Sequence, residues 1–182
     1  NQRKQLIMAS IYDTIYPKFK KEFTQIELQE IYTPTEAELK FADKVTGRKS
    51  TKLCFLITLK CFQRLGYFIS IINVPDSIAS HISDFSNISI SETTKLNYNK
   101  SGIKKKHIQI IRELLNVKPF DHEARHLIVT AIGKAAKTKD EPTDLINIAI
   151  EELVKNSYEL PAFSTIERAV NRIRVSVNRS FY

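Results

Sequence analysis

The sequence predicts an all-α protein made of two helical lobes of helix-turn-helix type. Three observations carry that reading. Glycine occurs 4 times and proline 6 times in 182 residues, too sparse a punctuation for a turn-rich β protein. Apolar residues recur at helical spacing along most of the chain. Capping boxes, Ser or Thr followed three residues later by Glu, stand at Thr24/Glu27, Thr35/Glu38 and Ser164/Glu167, each a signature of a helix start.

Taken in order, residues 1–22 are basic and mixed. Ile7, Met8, Ile11, Tyr12 and Ile15 predict a helix over about 3–15, closed before Pro17. Lys18, Lys20 and Lys21 read as a solvated run. Thr24 opens a short helix over 25–31, and Thr35 opens another over 36–45 with Leu39, Ala42 and Val45 inward. Gly47 breaks the chain. The next helix runs from about Ser50 to Leu65 and stops at Gly66. Its middle, Leu53 to Phe62, is almost wholly apolar and so should be buried on most sides. Its start is polar and basic: Arg48, Lys49, Ser50, Thr51 and Lys52. Cationic side chains beside free helix N–H groups suit a phosphate. These three helices fit either a first helix-turn-helix or a plain three-helix core. Pro75 opens a further helix to Phe85, with Ile78, Ile82 and Phe85 inward.

Residues 87–101 are rich in Ser, Thr and Asn without helical periodicity. They are the expected linker between a first lobe, 1–86, and a second, 102–182. The second lobe opens with a helix to Asn116, with Ile103, Ile110, Ile111, Leu114 and Leu115 inward. Lys104, Lys105 and Lys106 sit in its first turn, where cations oppose the helix dipole. A phosphate backbone would remove that cost; a solvated basic turn is the alternative. Asp121 caps a helix to about Lys137, and Pro142 or Thr143 starts one to Ser157, burying Leu145, Ile146, Ala149, Ile150, Leu153 and Val154. After the Pro161 turn, Ser164 is expected to cap a last helix beginning at Thr165. Ile166, Ala169, Val170, Ile173 and Val177 form its apolar face, and Thr165, Arg168, Arg172 and Arg179 fall together on another. A recognition helix needs this combination, and an ordinary surface helix with solvated arginines also fits it.

Bulk composition narrows the partner. Lys plus Arg outnumber Asp plus Glu by 28 to 20, a net charge of +8, which favours nucleic acid before membrane. No apolar run approaches the roughly 20 residues of a membrane span. Cys54 and Cys61 lie about two turns apart on one expected helix, too far to bond, and read as reduced core thiols of an intracellular protein. The chain begins at Asn1 rather than Met, as a piece of a longer protein would. His122 and His126 have the i, i+4 spacing of a metal pair, but without a third ligand they read as capping and surface residues. No phosphate-binding glycine loop, dinucleotide fingerprint or catalytic triad spacing is present, so no cofactor and no catalysis are expected of this chain.

The order of motifs resembles the N-terminal region of transposases of the Tn-three type. Arg48 to Lys52 followed by Leu53-Cys54-Phe55-Leu56-Ile57-Thr58-Leu59 and Arg64-Leu65-Gly66, then Val74-Pro75-Asp76, is similar to that family's pattern. So are Ile111-Arg112-Glu113-Leu114-Leu115 with Pro119-Phe120, and Glu159-Leu160-Pro161-Ala162-Phe163-Ser164-Thr165-Ile166-Glu167-Arg168. Lys60 and Cys61 depart from a stretch that is usually apolar. The resemblance spans about residues 23–180. It implies helical modules similar to those of centromere protein B, binding the terminal inverted repeats of a transposon as double-stranded DNA. The catalytic acidic residues of such a parent would lie outside this chain, and so would surfaces for its self-association. A bacterial, cytoplasmic and nucleoid-associated location follows.

On that basis the expected DNA-binding residues are Arg48, Lys49, Ser50 and Lys52 in the first lobe. In the second they are Lys104, Lys105, Lys106, Ser164, Thr165, Arg168, Arg172, Arg174 and Arg179. Thr165, Arg168 and Arg172 are the candidates for base contact; Arg174 and Arg179 fit phosphate or solvent. The alternative is a helical protein–protein assembly module, which would expose a large apolar patch. An RNA-binding role is favoured by charge alone and lacks the aromatic cluster such proteins use.

Overall fold

The structure, a computed structural model, describes residues 9–180. Among these residues it is all-α, with no strand beyond one isolated bridge. The chain divides into two compact units: residues 17–115, and residues 9–16 together with 116–180.

The 17–115 unit is organised around one buried helix. Helix α1 (Gln25–Glu27), opened by the Thr24/Glu27 capping box, widens into a π turn over Leu28–Tyr32. Helix α2 (Glu36–Val45) starts at the Thr35/Glu38 box. Helix α3 (Lys49–Leu65) ends at Gly66, whose φ of 75° closes the helix in the left-handed region, where glycine pays no Cβ penalty. Helices α4 (Asp76–Ser86), α5 (Glu92–Lys100) and α6 (Gly102–Leu115) complete the unit. Every residue from Leu53 to Phe62 on α3 is buried, because α2, α4, α5, α6 and the π turn all pack on it. Burial pushes the thiols of Cys54 and Cys61 up to about 12, which leaves both as inert core groups.

That burial extends to Lys60, which sits in the middle of the apolar run. Its Nζ lies 3.2 Å from a Glu38 carboxylate oxygen, and Gln63 Nε2 donates to the same carboxylate at 2.7 Å. Burial acts to raise the Glu38 pKa, but the hydrogen bonds from the Thr35 N–H and Gln63, with the charge of Lys60, bring it below the usual value. The capping carboxylate of α2 thus doubles as the counter-charge of a lysine that α3 carries inward.

Several expectations need correction here. The expected linker, residues 87–101, carries α5. Its apolar periodicity is weak, with Tyr98 its only buried residue, and the Ser91 cap on the Thr94 N–H supplies the start that hydrophobicity does not signal. Phe85, Ile103 and Leu114 are exposed rather than inward; each stands one residue from an end of its helix. The helix expected over 3–15 falls partly outside the described residues. Over residues 9–16 the chain holds one 3₁₀ turn, Ile11–Asp13, with extended backbone at Ser10 and Thr14 on either side.

The other unit holds a trihelical core in which α7 (His122–Ala135), α8 (Pro142–Lys155) and α9 (Phe163–Ser180) pack against one another. Asp121 caps α7 by accepting from the Ala124 N–H at 2.9 Å. Ala124, Ile128 and Ile132 of α7 meet Leu145, Ile146, Ala149, Ile150 and Leu153 of α8 and Ile166 and Val170 of α9 in a closed core. Val154 is 62% exposed; about 100° around α8 from Leu153, it falls off the core face.

Candidate nucleic-acid interface

The α9 surface follows from its helical geometry. At ~100° per residue, Thr165, Arg168, Arg172 and Arg179 fall on one stripe, while Ile166, Val170, Ile173 and Val177 fall nearly opposite. The structure fixes the second set to the core side: Ile166 and Val170 are fully buried, Ile173 and Val177 half-buried. Arg168, Arg172 and Arg179 are exposed, and Thr165 is half-buried at the helix start. Arg172 and Arg179 line a shallow groove with Asn171, Val175 and Ser176. Arg168 Nε donates to the Ser164 carbonyl at 3.0 Å, which steadies the side chain along its own helix.

Two members of the expected set behave differently. Ser164 is not a cap: α9 begins at Phe163, and the Thr165 N–H bonds to the Ala162 carbonyl. The helix starts two residues before the Thr165 that a Ser164 cap requires, so Ser164 lies exposed in the first turn. Arg174 lies off the arginine stripe, about 150° around the helix from its centre. Its side chain is 16% exposed and pairs with Asp140 at 3.4 Å. It joins α9 to the α7–α8 connection.

The turn leading into α9 is held by the segment before α7. The Lys118 N–H donates to the Ser157 carbonyl and the Glu159 N–H donates to the Lys118 carbonyl, both at 2.8 Å. Lys118 Nζ stands 3.9 Å from the Tyr158 ring centroid, a cation–π contact. The Phe120 N–H reaches a Glu159 carboxylate oxygen at 3.5 Å. Pro119-Phe120 and Glu159-Leu160-Pro161, distant in sequence, are therefore neighbours. Ser157 adopts φ 59° to end α8.

In the 17–115 unit, the basic start of α3 and the lysine triplet of α6 stand at adjoining helix ends. Ser50 and Thr51 from one share a small cavity of about 150 Å³ with Ser101 and Ile103 from the other. The triplet therefore belongs with Arg48 rather than with α9, contrary to the division expected at residues 87–101. Arg48 and Lys49 are exposed and Ser50 half-buried. Lys52 is committed to Asp43 at 2.6 Å. Lys104 donates to Asn99 Oδ1 at 2.6 Å, and burial lowers its pKa. Lys105 and Lys106 are exposed. Arg48, Lys49, Lys105 and Lys106 are exposed cations near these two helix N-termini, and so is Lys100 at the end of α5.

Among the described residues no three His, Cys, Asp or Glu side chains are placed to share a metal ion. His122 and His126 are both exposed on α7. No described helix is long and apolar enough to cross a membrane. Sequence reasoning did not find the Tyr98–His107 pair. Tyr98 OH and His107 Nδ1 lie 2.8 Å apart in the core, with the imidazole edge-on to Phe55; a histidine among lysines gave no sign of facing inward. A family model described as Domain of unknown function (DUF4158) matches residues 7–173. No curated protein matches the chain.

Proposed function

We propose that this member of the DUF4158 family binds double-stranded DNA in a sequence-specific manner. The observation that carries this is the α9 stripe. A helix whose arginines face solvent, mounted on two packed helices through a short clamped turn, has the form of a helix-turn-helix recognition helix. Thr165, Arg168 and Arg172 would meet base edges in the major groove, since the early residues of such a helix reach deepest and arginine pairs bidentately with guanine. Arg179, farther along, would meet phosphate. Arg48, Lys49, Lys105 and Lys106 would hold the backbone through charge and helix N–H groups, which fixes register without reading sequence.

The resemblance of the motifs to Tn-three-type transposases makes the terminal inverted repeats of a transposon the proposed target. The chain would serve as the DNA-binding region of a parent whose catalytic residues lie elsewhere. The test is a mobility-shift titration of the full chain on duplexes carrying such ends, and on scrambled duplexes of the same composition, over a salt series. The proposal expects tighter binding to the ends at every salt concentration. It also expects affinity for both duplexes to fall steeply with salt as counterions are released. Equal affinity for the two duplexes overturns sequence-specific binding. Self-association with no salt-dependent DNA binding would favour the assembly-module alternative.

A further inference from the structure

We infer that Tyr16 is a positioning residue for α9, so that the extended segment 9–16 belongs to the recognition unit although 145 residues separate Tyr16 from its partner Pro161. The inference rests on the reading of α9 as a DNA-contacting helix. It adds a part of the machinery that lies on neither the helix nor its turn.

Tyr16 is 5% exposed. Its hydroxyl donates to the Pro161 carbonyl at 2.7 Å, and its ring stands edge-on to Phe163 with centroids 5.6 Å apart. One residue earlier, the Ile15 N–H donates to Asn147 Oδ1 on α8 at 2.9 Å. The segment thus touches α8, the turn and the first residue of α9 in sequence. It is itself stiffened locally: Thr14 Oγ1 donates to the Ile11 carbonyl and accepts from the Tyr16 N–H. A tyrosine buried this deeply needs a partner for its hydroxyl, and the Pro161 carbonyl is placed to be that partner. This carbonyl precedes the first helical bond of α9, which runs from the Thr165 N–H to Ala162.

The turn is therefore gripped at two points. Lys118 bonds its first half, Ser157 and Glu159, and Tyr16 bonds Pro161, two residues before the helix begins. The first grip lies before Leu160, whereas the second reaches Pro161 and, through the Tyr16 ring, Phe163 at the start of α9. Base contacts need their side chains held within about 0.5 Å of the productive position, so the direction in which α9 leaves the turn decides whether Arg168 reaches a base edge. Residues 17–115 are accordingly an insertion between the positioning segment and the rest of its unit.

The test uses the full chain and two substitutions. Tyr16→Phe removes the hydroxyl and keeps the ring; Tyr16→Ala removes both. In the free protein, amide exchange over residues 158–168 should quicken about fivefold in Tyr16→Phe, the worth of one neutral hydrogen bond, and more in Tyr16→Ala. Exchange over Leu53–Phe62 of α3 should not change in either. In DNA binding, the ratio of affinities for a selected duplex and a scrambled one should fall in Tyr16→Ala and recover in part in Tyr16→Phe. The salt dependence should stay as in wild type, because no phosphate contact is lost. Unchanged exchange at 158–168 overturns the inference whatever the DNA result. Faster exchange with an unchanged affinity ratio overturns the positioning role. Faster exchange in a protein whose wild-type form shows no duplex preference sinks the DNA reading, yet supports Tyr16 as the grip on the turn.

Discussion

Lowering the pH from 7.5 to 5.0 should destabilise the 17–115 unit through one residue, His107. The imidazole is 2% exposed, beside Tyr98 and edge-on to Phe55. Burial, with a smaller contribution from the charge of Lys106, lowers its pKa from 6.5 to about 4. The folded unit therefore holds His107 neutral at a pH where the unfolded chain already binds the proton. Stability is at its full value above pH 6.5, falls as the pH drops from there towards 4, and loses nothing more from this residue below 4. A displacement of that size corresponds to about 3 kcal/mol at full extent, of which about 2 kcal/mol is realised at pH 5. Urea unfolding followed by circular dichroism measures the loss, with amide exchange over Leu53–Phe62 reporting the unit that contains His107. The His107→Gln variant keeps a hydrogen-bonding side chain and cannot titrate, so its stability should fall by about 2 kcal/mol less between the two pH values. Equal losses in wild type and variant would refute the reasoning.

Other perturbations address the remaining contacts. Lys60→Met should lower stability by about 3 kcal/mol, because removal of one member of a buried pair leaves the other uncompensated, and adding Glu38→Gln should recover part of the loss; a higher urea midpoint for Lys60→Met alone would contradict this. Gly133→Ala, where an added Cβ meets open space, should raise the melting temperature through about 1 kcal/mol of helix propensity; a fall would show a hidden clash in α7. Lys105→Ala should weaken binding to selected and scrambled duplexes alike and flatten the salt slope by about one; a loss confined to the selected duplex would make Lys105 a base-reading residue.

The first helices were the most legible part of the sequence, because their signals are local. The Thr35/Glu38 box and the Val45–Gly47 break define α2, and the apolar run ending at Gly66 defines α3. The burial of Lys60 was hidden by its type, since a lysine in an apolar run looks like a departure until Glu38 of α2 is placed beside it. Helix α5 was missed because a short helix burying one side chain, Tyr98, has almost no apolar period to read. The arginine stripe of α9 was visible from spacing alone. What spacing could not give was the turn: Ser164 looks like a cap for a helix from Thr165, yet the helix starts two residues earlier, at Phe163. Nor does the sequence show that Tyr16 and Lys118 hold that turn, since both contacts depend on chain segments meeting in space. The placing of Lys104–Lys106 in the same unit as Arg48 was likewise out of reach, because it depends on which unit α6 packs into.

The central claim is that the exposed arginine face of α9 reads bases. It is tested by selecting duplexes from a random pool with the wild-type chain, then measuring affinity for the selected and a scrambled duplex in wild type, Arg168→Ala and Arg174→Ala. If Arg168 pairs with a guanine, its removal should cost about 1–3 kcal/mol on the selected duplex, little on the scrambled one, and relax preference at one base position. Arg174→Ala should lower stability through the lost Asp140 pair and leave that preference in place. An Arg168→Ala protein with wild-type affinity and an unchanged selected sequence would contradict the account.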